Sequence, residues 1–234
     1  MKKTGYTVKK LLPNRPIRVR ILRGPLRGGR LVMNPRQSMR KILGLYEHEL
    51  NNWLEDVLRV VDRVVDVGAN DGYFTFGCAA AFRRLGKAGE IVAFEPQQRH
   101  FEALQRSIDD QPSSDLSFNI IQSLVGIEER PGVTTLDSVR WKRGNPTDHT
   151  NALVKIDVEG AEEEVLLGGS SWFHKSNFFL IEVHKRSFID SIGNMFAGHS
   201  LLLDRVDQRP LPFLGRELRD RENWWLVSRL RTIS

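Results

Sequence analysis

Apolar positions along this chain change period repeatedly, and the changes mark out its elements. Residues 17–22 alternate apolar with basic side chains, and residues 30–33 form a short apolar run. Prolines at 13, 16, 25 and 35 and glycines at 24, 28 and 29 punctuate both. This pattern predicts one or two edge strands or a hairpin. Leu50, Trp53, Leu54, Val57 and Leu58 then recur at helical spacing across 46–59, which predicts a helix. Beyond it, strand and helix signals alternate. Strands are expected over 64–67, 90–94, 116–125, 153–158 and 178–183. Helices are expected over 73–85, 97–108, 161–167 and 188–196. Two late strands, 201–206 and 224–230, have no helical pattern between them. Repeated strand–helix alternation predicts an α/β fold: a doubly wound, mostly parallel, Rossmann-like sheet finished by an antiparallel C-terminal hairpin.

Composition changes this picture little, but charge does. The chain has 234 residues, 40% apolar and 27% charged, as expected of a soluble globular protein with a sizeable core. It holds no apolar run near the ~20 residues that cross a bilayer. Nor does an apolar stretch of secretory-signal type follow Met1-Lys2-Lys3. The single Cys78 excludes an internal disulfide and reads as a small buried residue on the 73–85 helix, and a cytoplasmic location is expected. Residues 1–46 carry 13 Lys or Arg and no Asp or Glu, against 22 basic and 29 acidic residues in the remainder, which gives the net +6. The expected organisation is therefore a basic N-terminal extension over 1–45, forming edge strands or a lid, and one cofactor-binding domain over 46–234. A basic extension serves either to pack on an acidic core or to bind a polyanion.

The candidate chemistry begins at Asp66-Val-Gly68-Ala69-Asn70-Asp71-Gly72, between an apolar strand and a helix rich in small residues. Such a glycine turn presents backbone N–H groups to a nucleotide-like cofactor. The spacing is not the G-x-G-x-x-G of dinucleotide sites. Asp66 and Asp71 would sit badly against a pyrophosphate and suit a cationic ligand, such as the ammonium and sulfonium of S-adenosylmethionine. Ligands of open parallel sheets bind beyond the carboxyl ends of the strands. The second such end carries Glu95, 23 positions after Gly72, where a carboxylate typically accepts two hydrogen bonds from ribose hydroxyls; the alternative is a cap for the helix at 97. Gln122-Ser123, at the third, is expected near the adenine edge. The fourth carries Lys155, Asp157, Glu159 and Glu162, and the fifth Glu182 and His184, which point to the same side of an extended chain. A lone Lys155 inside a central strand is costly unless paired. Glu162 to Glu164 read as a solvated helix face, Asp137 as a helix cap, and His184 as either a catalytic or a structural strand-end histidine.

Val65-Asp-Val-Gly-Ala-Asn-Asp-Gly72, Phe94-Glu-Pro96, Thr135-Leu-Asp137, Lys155-Ile-Asp-Val-Glu-Gly-Ala-Glu162 and Glu182-Val-His184 occur in the order seen in the FkbM-type methyltransferases. The chain resembles that family over roughly 44–230, and Tyr46-Glu47 is similar to the pair that precedes its first motif. The resemblance implies a class I fold that uses S-adenosylmethionine, with methylation of hydroxyl oxygens on polyketides or sugars. The cofactor site expected here comprises Tyr46, Glu47, Asp66, Gly68, Ala69, Asn70, Asp71, Gly72, Glu95 and Ser123.

A hydroxyl acceptor must lose its proton at or before methyl transfer, so a base is required. Asp157 is the first choice and His184 the second, with Glu182 beside them. A divalent metal on Asp157, Glu159 or Glu182 is the alternative way to activate the acceptor, although the spacing is not diagnostic. The favoured reading is an O-methyltransferase for a small molecule or glycan. Competing readings are a methyltransferase for RNA or another polyanion, a non-catalytic cofactor-binding module, and a dehydrogenase using NAD. Few aromatics in the arm to stack bases, Tyr6 alone, disfavour nucleic acid, and the acidic turn disfavours NAD.

Overall fold

The computed structural model describes residues 12–113, 115–211 and 224–230. Strands β1 (Ile17–Arg20) and β2 (Arg30–Met33) pair antiparallel, as the Pro/Gly punctuation predicts. Helix α1 (Met39–Leu43) and a 3₁₀ turn over His48–Leu50 lead into α2 (Asn51–Val60). The predicted helix begins five residues late, because Glu47 takes a left-handed φ of 50° that helical backbone does not tolerate.

The strand–helix alternation then appears as expected: β3 (Arg63–Val67), α3 (Tyr73–Arg84), β4 (Gly89–Phe94), α4 (Gln98–Asp109) and β5 (Leu116–Ile121). One expectation needs correction. Residues 116–125 are not a single strand, because β5 stops at Ile121. Ser123 N–H turns back to the Ile121 carbonyl, and the chain leaves the sheet. Strand β6 (Leu124–Gly126) pairs instead with β7 (Val133–Thr135) in a separate two-stranded parallel ladder. The order continues with β8 (Ala152–Ile156), α5 (Glu162–Leu167), β9 (Phe178–Val183), α6 (Arg186–Gly198), β10 (Leu203–Val206) and β11 (Trp224–Ser228).

Seven of these strands form the main sheet in the order β10-β11-β9-β8-β3-β4-β5. Five neighbouring strands, in the order β9-β8-β3-β4-β5, run parallel, and the valine-rich β3 lies at their centre with β4 and β8 on either side. Burial on both faces explains its near-continuous apolar run. The last strand inserts antiparallel between β9 and β10, which is the expected C-terminal hairpin. Between β3 and β8 the order of the strands reverses direction, the switch point beside which open parallel sheets bind their ligands.

Two cores flank the sheet. One joins α2, α3 and α4 to Ile21, Leu26, Leu31 and Met33 of the amino-terminal segment. The other buries Val165 and Leu166 of α5 and Ile192 and Phe196 of α6 against the opposite face. Among the described residues, no helix is long and apolar enough to cross a membrane.

Candidate active site

The glycine turn is built by close backbone approach. Gly68 has a φ of +82°, and a Cβ there would lie 2.0 Å from the Asp157 carbonyl oxygen. Only glycine fits, so β3 and β8 leave the sheet in contact. The N–H groups of Gly68 and Ala69 both donate to the Phe94 carbonyl at 3.0 Å. Asn70, also left-handed at 48°, donates its N–H to Glu95 Oε2 at 2.7 Å, and Glu95 Oε1 accepts the Gln97 N–H at 2.9 Å. Thus Glu95 ties the end of β4 to the turn, and each of its oxygens retains a lone pair for a further donor.

Asp71 faces the amino-terminal segment. Its Oδ1 accepts the Tyr73 N–H at 3.2 Å, and its Oδ2 pairs with Lys41 Nζ at 2.7 Å. That ammonium lies 5.0 Å from the Tyr46 ring centre and 5.7 Å from that of Tyr73, while the two rings meet edge to face. The expected Tyr46 and Asp71 therefore come together, joined by a Lys41 that sequence reasoning missed. Nothing in its spacing distinguishes it from the other twelve basic residues of the extension.

Lys155 resolves its own anomaly. The β3–β8 register sets it opposite Asp66. Its Nζ lies 3.3 Å from Asp66 Oδ1, 3.2 Å from Asp157 Oδ2 and 3.3 Å from the Gly68 carbonyl oxygen. Burial would lower the ammonium's pKa, but the charges of Asp157 and Asp66, with Glu47 and Glu182 behind them, outweigh it and raise it. Asp66 is fully buried and also accepts a 2.6 Å hydrogen bond from Thr75. Asp157 would be raised by burial, yet Lys155 and His184 pull it below the usual carboxylate range.

His184 follows β9 at the same end of the sheet. Its Nδ1–H donates to Glu162 Oε1 at 2.5 Å, and its Nε2 stands 3.9 Å from Asp157 and 3.7 Å from Glu159. Burial would push the imidazole's pKa down. The Glu162 hydrogen bond and the charges of Glu182, Glu162 and Asp157 more than offset that, so it stands above the ordinary histidine value. Glu162 is completely buried, contrary to the expectation of a solvated face. It shares a helical face with Val165 and Leu166, a spacing of three and four that could have signalled its burial.

Asp157, Glu182 and His184 offer donor atoms within 4.8 Å of one another. A metal reading would therefore use His184, and the expected Glu159 is exposed, with a left-handed φ of 52°. The Ser123 hydroxyl donates to the Leu124 carbonyl at 2.8 Å and to the Gly132 carbonyl at 3.1 Å. Asp137 does not cap the helical turn it lies in; its carboxylate accepts hydrogen bonds from the Ser170 and Ser171 hydroxyls and from the Ser171 N–H, in the first turn of a short 3₁₀ helix over Ser170–Trp172. Burial raises the Cys78 thiol well above its usual pKa, which leaves it an inert core residue.

A sheet of this strand order, with a glycine turn and acidic strand ends at the switch point, is the class I methyltransferase fold. The comparisons agree. Residues 102–210, a span that holds the Thr135–Asp137, Lys155–Glu162 and Glu182–His184 motifs, match the family described as the Methyltransferase FkbM domain. The chain is 27% identical to a hexuronic acid methyltransferase, AglP, of Haloferax volcanii, over 56% of this chain and 62% of that protein. The crystal structure of methyltransferase FkbM from Methylobacillus flagellatus superposes with a TM-score of 0.53 at 15% identity, covering 83% of this chain and 60% of that one. The chain thus spans about three fifths of the length of these two relatives.

S-adenosylmethionine is the cofactor that this family and fold imply, and the donor set fits it. Four carboxylates (Asp66, Asp157, Glu162 and Glu182) face one lysine and one histidine at the strand ends, a surplus of negative charge that suits a sulfonium and an ammonium. Glu95 keeps acceptor capacity for ribose hydroxyls.

Proposed function

We propose that this chain transfers a methyl group from S-adenosylmethionine to a hydroxyl oxygen of a glycan or small molecule, with His184 as the proton acceptor. The observation that carries the reading is the His184–Glu162 bond. A buried carboxylate holds Nδ1–H at 2.5 Å and turns Nε2 toward the carboxyl ends of β8 and β9. A family relative named for hexuronic acid directs attention to acidic sugars as acceptors.

Tyr46, Glu47, Asp66, the 68–72 turn and Glu95 would hold the cofactor. When bound, it supplies an electrophilic methyl carbon on a sulfonium and leaves as a neutral thioether. The chain's own task is to align the acceptor oxygen and take its proton. Alignment alone can contribute ~7–11 kcal/mol. Asp157 is the weaker base, since Lys155 stabilises its ionised form and lowers its proton affinity. Its role is to hold Lys155 and to stabilise positive charge that appears on His184. Neutral His184 accepts the hydroxyl proton at Nε2, and the resulting imidazolium remains bonded to Glu162 until water removes that proton.

Part of the basic extension's charge is already matched within the fold, Lys41 by Asp71 and Arg18 by Asp110 at 2.6 Å. That internal pairing favours a folded role over a nucleic-acid arm. The test is incubation of the full chain with ¹³C-methyl-labelled cofactor and a panel of hexuronides, neutral sugars, phenols and RNA, followed by NMR of the products. An O-methyl product that His184→Gln reduces at least ~100-fold is expected. Cofactor binding without transfer to any acceptor, or methyl on nitrogen or carbon, would overturn the proposal.

A further inference from the structure

We infer that Lys41 receives the α-carboxylate of S-adenosylmethionine, with Asp71 holding its ammonium in place. This rests on the cofactor reading above. The methionine end of that cofactor carries a carboxylate as well as its two positive charges. The strand-end groups that suit the cations, Asp66, Asp157 and Glu182, repel a carboxylate, so its binding calls for a cation of the protein. Lys155 is already committed. Oxygens of Asp66, Asp157 and Gly68 lie within 3.3 Å of its ammonium, one for each N–H, and its side chain is 7% exposed. His184 donates through Nδ1 to Glu162 and stands beside Asp157 and Glu159. Lys185, beyond β9, bonds the Gly160 carbonyl at 3.3 Å and lies over the Phe188 ring.

Lys41 has both the place and the capacity. It lies on α1, and its Nζ donates to Asp71 Oδ2 at 2.7 Å, while Asp71 Oδ1 accepts the Tyr73 N–H at the start of α3. This pair fastens the amino-terminal segment to the glycine turn itself. The same segment reaches the β3–β8 ends through Glu47, whose charge acts on Lys155. The Lys41 ammonium lies 5.0 Å from the Tyr46 ring centre and 5.7 Å from that of Tyr73. Ring faces steady a cation without using its N–H donors on an oxygen. An ammonium has three such donors, and Asp71 Oδ2 engages one of them. The Lys41 side chain is 19% exposed against 7% for Lys155, so a carboxylate from outside can reach it. A lysine between two carboxylates already occurs in this site, where Lys155 stands between Asp66 and Asp157. Lys41 would repeat that arrangement, with Asp71 on one side and the cofactor's carboxylate on the other.

Calorimetric titration of the full chain with S-adenosylmethionine and with its decarboxylated form tests this without any acceptor. The wild type should bind the decarboxylated form about 10–100-fold more weakly, the loss of one charged hydrogen-bonded contact. In Lys41→Met, S-adenosylmethionine should weaken by a similar factor, while the decarboxylated form stays within about threefold of its wild-type affinity. Lys41→Arg, which keeps the charge, should restore part of the discrimination. Equal affinity of the wild type for the two ligands overturns the inference and needs no variant. So does a Lys41→Met loss shared equally by both ligands, which would confine Lys41 to bracing the turn through Asp71. Each variant is read where circular dichroism shows the wild-type fold. Where Met does not fold, Lys41→Gln, which keeps a donor for Asp71, takes its place under the same criteria. Failure of methyl transfer to every acceptor would sink the functional reading but leave this binding measurement standing.

Discussion

Replacing Lys155 by Met would keep most of the side chain's volume and remove its charge from between Asp66 and Asp157. Asp66 is fully buried, and the lysine side chain itself is 7% exposed, so little water can enter to replace the ammonium. Each contact is near 3.3 Å, where the pairwise attraction is about 5 kcal/mol at an effective dielectric of 20, with desolvation offsetting much of it. Breaking such a buried pair costs roughly 3–5 kcal/mol, or a fall in melting temperature of roughly 6–20 °C for a chain of this size. Urea unfolding followed by the fluorescence of buried Trp172 and Trp225 measures it. The pH dependence supplies an internal check. Asp157 titrates below its unfolded value, so the wild type carries a stabilisation present above about pH 4 and lost as pH falls through the folded pKa. Without Lys155 the buried carboxylates protonate more readily. The gap between variant and wild type should therefore narrow from pH 7 toward pH 4. A loss below about 1 kcal/mol at pH 7, or a gap that widens on acidification, refutes the assigned pairing.

Two further substitutions probe the cofactor side. Gly68→Ala adds a Cβ that meets the Asp157 carbonyl at 2.0 Å in a left-handed backbone; it should destabilise by at least ~2 kcal/mol and weaken cofactor binding in calorimetry, and wild-type stability would show that β3 and β8 do not approach as described. Glu95→Gln should weaken cofactor binding by about 10–100-fold through lost charged hydrogen bonds to ribose, while an analogue lacking both ribose hydroxyls binds wild type and variant alike. Equal weakening of both ligands would mean that Glu95 serves only to hold Asn70 and Gln97.

Local periodicity carried most of the fold, because each strand or helix of this sheet announces itself within a few residues. The 116–125 run misled because an apolar stretch looks the same whether its chain continues straight or turns at Ser123. At the site, the legible residues were those whose role depends on chain position: the glycines, Glu95 at a strand end, Asp157 and His184. Partnerships were not legible. Lys155 meets Asp66 through the β3–β8 register, which joins residues 89 positions apart. Lys41 reaches Asp71 only because the amino-terminal segment folds back over the turn. Glu162 was hidden differently, since three consecutive glutamates suggest a solvated face and only the helical phase with Val165 and Leu166 separates the first from the others.

The charge balance of the site bears on when the proton moves. Asp66, Asp157, Glu162 and Glu182 outnumber Lys155 and His184 even when the imidazole is charged. An alkoxide formed ahead of transfer would leave a full negative charge near these carboxylates in a low-dielectric end of the sheet, balanced in net charge by the imidazolium formed with it but repelled by its acidic neighbours. On the methyl-transfer reading, a reaction that begins with a sulfonium in the site and ends with an imidazolium keeps its net charge constant. The surplus carboxylates then stabilise reactant and product cations alike. The step they penalise is early deprotonation. On that reading His184 takes the proton as the new bond to oxygen forms, and its base strength enters the rate directly.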